Sequence, residues 1–275
     1  MRAFVNTAQN DLKTIDFDCF IWYNLITKRQ AKLLRVDYLE LDDKFSIIAY
    51  VRTGFPTKFG IPRQPARVPG LAGKIVFEPM FRNKELLRGL EGFSHIWVIW
   101  HCSLSAPFGA RSTVRPPRLG GNARMGVFAT RSPFRPNRIG LSCVKIEEIV
   151  TESPDGPYIT VSGADMADGT PVLDIKPYLP YADSFPDASC GFAGVGLDHR
   201  LEVEIPPEKA AVFPPEMLGT LKDVLAEDPR PAYDGDEARV YGFGFAGFEI
   251  KFRVANGILT VTDISEETPE NEEKT

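Results

Sequence analysis

Cysteine, histidine and long apolar runs are all scarce in this chain, and each scarcity removes a class of function. The four cysteines, Cys19, Cys102, Cys143 and Cys190, stand far apart with no C-x-x-C pair. That spacing signals neither a zinc site nor a disulfide framework, and reduced, mostly buried thiols are expected. No histidine pair has metal-ligand spacing, so no metal is expected. No apolar run approaches the roughly 18 residues that a membrane-spanning helix needs, and no basic n-region followed by an apolar core opens the chain. The expectation is a cytoplasmic protein with no membrane contact. There is no P-loop and no G-x-S-x-G elbow. Gly242–Gly247, GFGFAG, fits G-x-G-x-x-G, but FEIKFRV follows with a strand pattern, where a dinucleotide fingerprint must open a helix. Two glycine-rich hairpin strands explain it better.

A second absence is local. Between Glu91 and Glu147 there is no acidic residue, although the chain carries a formal net charge of −5. Inside that window Arg111–Gly140, RSTVRPPRLGGNARMGVFATRSPFRPNRIG, holds seven arginines. An acidic protein does not bind polyanions with its whole surface, so this face is the candidate for an anionic partner. Guanidinium forks bind phosphate bidentately and stack on unpaired bases, and single-stranded loops are where proteins read RNA. The bland alternative is a solvated basic face or internal ion pairs, which contribute little each.

What is present otherwise fits a soluble globular chain, with 43% hydrophobic and 25% charged residues over 275 positions. Residues 1–44 read as an extension of unassigned role. Phe17–Ile26 is apolar but short, and Lys28–Glu40 could form a helix with Leu33, Leu34, Tyr38 and Leu41 partly on one face. From Phe45 onward short β-prone runs are bounded by Gly and Pro, the signature of a barrel or sandwich. The expected strands are Ser46–Arg52, Lys74–Phe77, Ser94–Trp100, Gly126–Thr130, Ile139–Ile149 and Tyr158–Asp165, with a short helix in Phe81–Leu90. In SHIWVIWH both faces are mainly apolar, which predicts a central buried strand. LEVEI at Leu201 starts a new strand. Pro214–Leu225 reads as a helix with proline at its start, and Arg239–Phe245 and Phe248–Ile264 as antiparallel strands. The fold class is mainly β, a barrel domain over 45–195 followed by a small α+β domain over 196–265. Residues 266–275 form an acidic polar tail, disordered by composition.

Five motifs then converge. PRQP at Pro62–Pro65, LEGFSHIW at Leu90–Trp97, TVRPPRLGGNARMGVFATRSPFRPN at Thr113–Asn137, DGTPVLDIKPYLPYADS at Asp168–Ser184 and DPRPAY at Asp228–Tyr233 resemble the TsaA-like family. The likeness is to its longer TrmO-type tRNA (adenine-N6)-methyltransferases and runs, in order, from about Ile47 to Ile264. It implies a β-barrel, S-adenosylmethionine-dependent enzyme acting as a homodimer on threonylcarbamoyl-adenosine at position 37 of a threonine tRNA, with the small C-terminal domain helping to hold the tRNA.

By that resemblance the cofactor role falls to Pro62, Arg63, Gln64, His101, Cys102, Arg131, Leu141, Asp168, Gly169, Thr170 and Pro171. The tRNA anticodon loop would be met by Arg115, Arg118, Arg124, Arg135, Asn137, Arg230 and Tyr233. Asp168 is the candidate base. The residues alone leave turns at PRQP and DGTP, where Arg63 or Gln64 could reach a carboxylate or an adenine edge. Three departures stand near the proposed cleft. Cys102 replaces a frequent Gln, Arg138-Ile139 replaces a usual Pro-Ile, and Thr53-Gly54 replaces a usual Ser-Pro. Two other readings stay open: a catalytically silent RNA-binding module, and a methyltransferase for another substrate.

Overall fold

The structure is a computed structural model, and it describes residues 45–116, 119, 123–194, 199–230 and 236–267. The readings for residues 1–44, for Arg118 and Tyr233, and for 268–275 of the tail lie outside the described residues. Ile47–Thr275 forms one compact unit.

Six antiparallel strands close into a barrel. They are β1 (Ala49–Thr53), β2 (Ala72–Phe77), β3 (His95–His101), β6 (Ile139–Val150), β7 (Tyr158–Ser162) and β8 (Thr170–Pro177), in the order β1-β2-β7-β6-β3-β8. Two short strands, β4 (Thr113–Val114) and β5 (Met125–Gly126), pair within the arginine-rich connection. Strand alternation sends Val51, Ile75, Ile96, Val98, Val144, Ile159, Val161 and Val172 inward, all fully buried. Each such side chain contributes roughly 1.5–3 kcal/mol of burial. An eight-stranded barrel is only just wide enough for side chains to fill, so this six-stranded one has no lumen for a ligand. A site must sit at a mouth.

The antiparallel order decides which residues reach that mouth. The C-terminal ends of β1, β3 and β7 lie at one end, together with the N-terminal ends of β2, β6 and β8, as the pairs Thr53↔Gly73, Ala72↔Ser162, His101↔Ile139 and Val51↔Thr170 show. The three connections at this end are 54–71, 102–138 and 163–169. PRQP, the arginine-rich segment and the start of DGTP are therefore gathered at one mouth. A register shift between Ile99 and Trp100 interrupts the β3–β8 ladder on the same side, a device that re-aims side chains at barrel rims.

A second sheet, β10 (Tyr241–Phe245), β11 (Phe248–Ala255), β12 (Ile258–Glu266) and β9 (Glu202–Glu204), packs around helix α3 (Leu218–Ala226), with β9 parallel to β12. Two shorter helices are α1 (Pro180–Asp183) and α2 (Pro207–Ala210). The core of this layer includes Phe55, Val68 and Leu71 from the connection between β1 and β2.

Several expectations need correction. Gly126–Thr130 is not a strand: only Met125 and Gly126 pair, and Val127–Ala129 makes a 3-10 turn closed by the Thr130 hydroxyl on the Val127 carbonyl at 2.8 Å. Phe81–Leu90 holds no α-helix but parts of three 3-10 turns, Pro79–Phe81, Lys84–Leu87 and Leu90–Gly92, broken by left-handed Gly89. Phe248–Ile264 is not one strand. Asn256 and Gly257, both at positive φ, fold it into a hairpin, the Asn-Gly turn that a two-residue loop favours. The strand β8 falls inside the DGTPVLDIKPYLPYADS motif, where no strand is expected. In β3 the inward Ile96 and Val98 are fully buried and Trp100, nearest the mouth, is half-buried, whereas the outer face is half-buried, with the Tyr178 ring centroid 5.7 Å from that of Trp97. Cys102 and Cys143 are half-buried and Cys190 is exposed, so the thiols are less buried than expected. GFGFAG is a β-hairpin, as its context predicted, with the turn at Ala246-Gly247.

Candidate functional site

At the mouth the first connection is pinned by backbone bonds. The Ala66 amide donates to the Gly163 carbonyl at 3.1 Å, and the Gly163 amide to Leu71 at 2.8 Å. This fixes the stiff PRQP turn beside the end of β7. From there Gln64 Oε1 accepts a bond from Arg131 at 2.5 Å, so the first and second connections meet through two predicted cofactor residues. Arg63 turns the other way and donates to the backbone oxygen of Arg230 at 3.0 Å.

DGTP is a tight turn, with Gly169 in the left-handed region at φ 71° and open space where a Cβ would stand. Its amides are committed: Asp168 donates to Phe55, Gly169 to Val51 and Thr170 to Ala167. The Thr170 hydroxyl also closes on Ala167 at 2.7 Å, and Thr170 and Pro171 are buried. A ligand amine, read by carbonyl oxygen, suits this turn better than an anion. The Asp168 carboxylate accepts from the Thr53 amide at 3.0 Å and from Arg52 at 3.3 Å. The Thr53 hydroxyl donates to the Met166 carbonyl at 3.0 Å. The absent proline is thus offset by side-chain bonds at Thr53, and Gly54 lies close to the second layer, where a Cβ would stand 3.2 Å from the Ala246 nitrogen.

His101 and Leu141 belong to a different face. The pairs Ile99↔Leu141 and His101↔Ile139 put both on the outside of the β3–β6 ladder, where Leu141 is half exposed. Alternation turns their neighbours inward, and Trp100 and Ser142 enter the mouth. The indole N–H of Trp100 donates to Ser142 Oγ at 3.0 Å, and that hydroxyl donates to Asp165 Oδ1 at 2.5 Å. Burial pushes the Asp165 carboxyl up to about 6, against the Ser142 bond, its own backbone amide and the field of Arg131. Burial likewise pushes the Cys102 thiol up to about 11, opposed by Arg135 and Arg138 and aided by Asp165. Cys102 is therefore a neutral thiol, and its backbone amide is held by the Arg138 carbonyl at 2.8 Å.

The remaining arginines divide. Arg135 is half-buried and donates to the Thr130 carbonyl at 3.0 Å, stapling its own loop. The guanidinium of Arg111 lies 5.1 Å from the Phe134 ring centroid. Arg115, Arg124 and Asn137 are exposed, and so is Phe128, at 78%. In the second layer Arg230 makes a two-point ion pair with Asp228 at 2.8 and 3.0 Å. Burial raises the Asp228 carboxyl, but the bonds from Arg230 and His199 outweigh it and hold it below the ordinary value.

Sequence reasoning missed Asp165, Ser142 and Trp100. Asp165 sits three residues before the recognised turn, and only the alternation of β3 and β6 could have hinted that Trp100 and Ser142 face one mouth. The opposite end of the barrel holds an apolar recess of about 530 Å³ under Phe81, Leu87 and Phe93. No described residue of the arginine-rich segment lines it.

The family model described as the tRNA-methyltransferase O N-terminal domain matches residues 50–184, and that for the TrmO C-terminal domain matches residues 199–267. The chain is 41% identical over 221 residues to the tRNA (adenine(37)-N6)-methyltransferase of Escherichia coli, covering 78% of this chain and 94% of that relative. It is 49% identical over 170 residues to the enzyme of the same name from Eikenella corrodens, covering 62% of this chain and 95% of that one. The crystal structure of TrmO from Pseudomonas aeruginosa superposes with a TM-score of 0.66 at 33% identity, over 82% of this chain and 99% of that one. With both family domains matched in order along one compact unit, the chain belongs to the tRNA-methyltransferase O family.

Proposed function

We propose that this chain is an S-adenosylmethionine-dependent methyltransferase that adds a methyl group to N6 of threonylcarbamoyl-adenosine at position 37 of a threonine tRNA. The observation that carries the reading is the convergence of PRQP, the arginine-rich connection and DGTP on one barrel mouth, joined by the bond between Gln64 and Arg131. The residues present fit the cofactor. Arg131 and Gln64 offer donors for an amino-acid carboxylate, and the DGTP turn suits an amine and leaves room beside Gly169. When bound, adenosylmethionine supplies an electrophilic methyl on a sulfonium. The chain's own contribution is to orient the two reactants and exclude water at the mouth of a filled barrel.

For the tRNA, Arg115 and Arg124 are the exposed phosphate contacts, with Asn137 beside the loop and Phe128 as an exposed stacking platform. Arg135 positions the loop through Thr130. Arg230 reaches phosphate only by sharing or leaving Asp228. Assembly as a homodimer and a cytoplasmic location are part of the same reading, supported by the family resemblance. No described helix is long and apolar enough to cross a membrane.

The test is mass spectrometry of tRNA nucleosides after incubation with the cofactor, with and without the protein. A gain of one methyl on threonylcarbamoyl-adenosine is expected. If tRNA binds with a steep salt dependence and no methyl is gained, the chain is a silent RNA-binding module.

A further inference from the structure

We propose that Asp165, and not Asp168, is the group that accepts the N6 proton during methyl transfer, with Ser142 and Trp100 as the positioning residues that aim it. The role rests on the methyltransferase reading above. In the transfer the N6 lone pair forms the new bond to the methyl carbon while the carbon–sulfur pair returns to sulfur. The N6–H bond then gives its electrons to nitrogen and its proton to the Asp165 carboxylate, which later loses it to water. Charge and atoms balance without any further reactant.

The hydrogen-bond chain fixes how this carboxylate is held. An indole N–H can only donate, so the Ser142 oxygen must accept from Trp100 and its own hydrogen must point at Asp165 Oδ1. The Ser142 hydroxyl thereby holds Oδ1 as a bond acceptor, the Asp165 backbone amide is the carboxyl's other donor, and the proton is taken on a lone pair that these two bonds leave. Asp168 is placed otherwise: the Thr53 amide and Arg52 occupy its two oxygens, and it serves to hold the β1 turn against DGTP. Asp174 pairs with Lys176 at 2.9 Å and lies further along β8.

The surroundings suit a base at neutral pH. A proton acceptor works best when its affinity lies near the operating pH, and burial brings Asp165 up to about 6. The charged and titratable groups around it are Arg131 from the second connection and Cys102 from the end of β3, with Arg135 and Arg138 acting on Cys102. Cys102 stays neutral through the pH range of interest. His101 stands at the end of the same strand, beside Cys102, so an acid limb near pH 6 is assigned to Asp165 by its loss in Asp165→Asn and its displacement in Ser142→Ala.

The experiment compares wild type, Asp165→Asn and Ser142→Ala. It measures single-turnover methyl transfer between pH 5 and 8, calorimetric binding of adenosylmethionine, and a carbon-13 titration of the aspartate carboxyls in the free protein. Asp165→Asn is expected to lower the rate about 100-fold or more, to keep cofactor affinity within about threefold, and to leave a flat residual pH profile. Ser142→Ala keeps the carboxylate but removes the bond that favours its charged form, so its acid limb and carboxyl titration should both move to higher pH. A rate retained within threefold in Asp165→Asn overturns the proposal. So does a variant whose loss is confined to cofactor affinity, which would assign the carboxylate to the cofactor's amine. Absence of transfer by the wild type with a normal carboxyl titration near 6 would instead remove the methyltransferase reading, and this role with it.

Discussion

Asp165 is held partly out of water, and this burial outweighs the Ser142 hydroxyl, its own backbone amide and the Arg131 guanidinium, all of which favour the charged form. Its carboxyl rises to about 6, above the roughly 3.9 of an unfolded aspartate. Because the folded state holds the proton more tightly, the stability contributed by the group is fully present below about pH 4. It is lost as pH rises through about 6. Two pKa units correspond to roughly 3 kcal/mol as an upper figure. Asp165→Asn removes the charge with little change of shape, so it should be more stable than wild type at pH 8, by a few degrees in Tm, with the gain fading by pH 4.5. Scanning calorimetry at the two values measures this, and equal differences at both would show that Asp165 is not desolvated. Stabilisation with loss of activity is the pattern of a group kept for chemistry. No sequence signal marked Asp165. In SGADMADGTP two aspartates stand three apart, and what separates them is the neighbour that each meets. Ser142, 23 residues away, covers one, and the Thr53 amide, 115 residues away, binds the other. Local sequence does not contain those distances. The family resemblance, and not the local sequence, grouped Gln64 with Arg131, and these two residues, 67 apart, are bonded to each other.

At the scale of elements, the strands that alternate or run apolar were legible, because hydrophobic periodicity is their direct signature: β1, β2, β3, β6 and β7 each fall within a few residues of expectation. The misses share a cause. Val127–Ala129 has strand-like composition but curls into a turn after Val127, whose carbonyl takes both the amide and the hydroxyl of Thr130, and Phe81–Leu90 has helix-like composition broken by Gly89. β8 hid inside a functional motif. The connections matter most for the site, and the contact of Gly163 with Ala66 is the point where β7 sets the PRQP turn. Gly163 has φ 78°, and a Cβ there would stand 3.0 Å from the Ala66 Cα, itself at φ 59°. Gly163→Ala should therefore cost about 1–3 kcal/mol and push the turn away from Arg131. We expect at least a tenfold weaker binding of adenosylmethionine with an unchanged far-ultraviolet spectrum, read by calorimetry and circular dichroism. Unaltered affinity would mean that the turn is placed by its own prolines.

For the whole molecule, a barrel domain over 45–195 and a separate domain over 196–265 would unfold independently only if few contacts crossed between them. Such contacts are not few. Phe55, Val68 and Leu71 leave the barrel sequence to pack with Phe213, Leu225 and Phe245, and the Phe55 and Phe245 rings lie 4.9 Å apart. The Gly54 carbonyl accepts from the Ala246 amide at 2.8 Å, and Arg67 makes a two-point pair with Glu227 at 2.9 and 3.0 Å. The connection that carries PRQP is thus the shared wall of both layers. Truncating a buried phenylalanine in that wall costs about 3–5 kcal/mol. If the wall couples the layers, Phe245→Ala lowers a single transition seen alike by calorimetry and by emission from Trp97 and Trp100, measured with Trp22→Phe in both proteins. The barrel tryptophans would report damage done in the second sheet, and cofactor affinity would fall with them. Were the tryptophan transition unmoved while a second calorimetric peak shifted, the two layers would be independent domains. Arg63, which bonds the Arg230 carbonyl, would then link two separately folding units across the site.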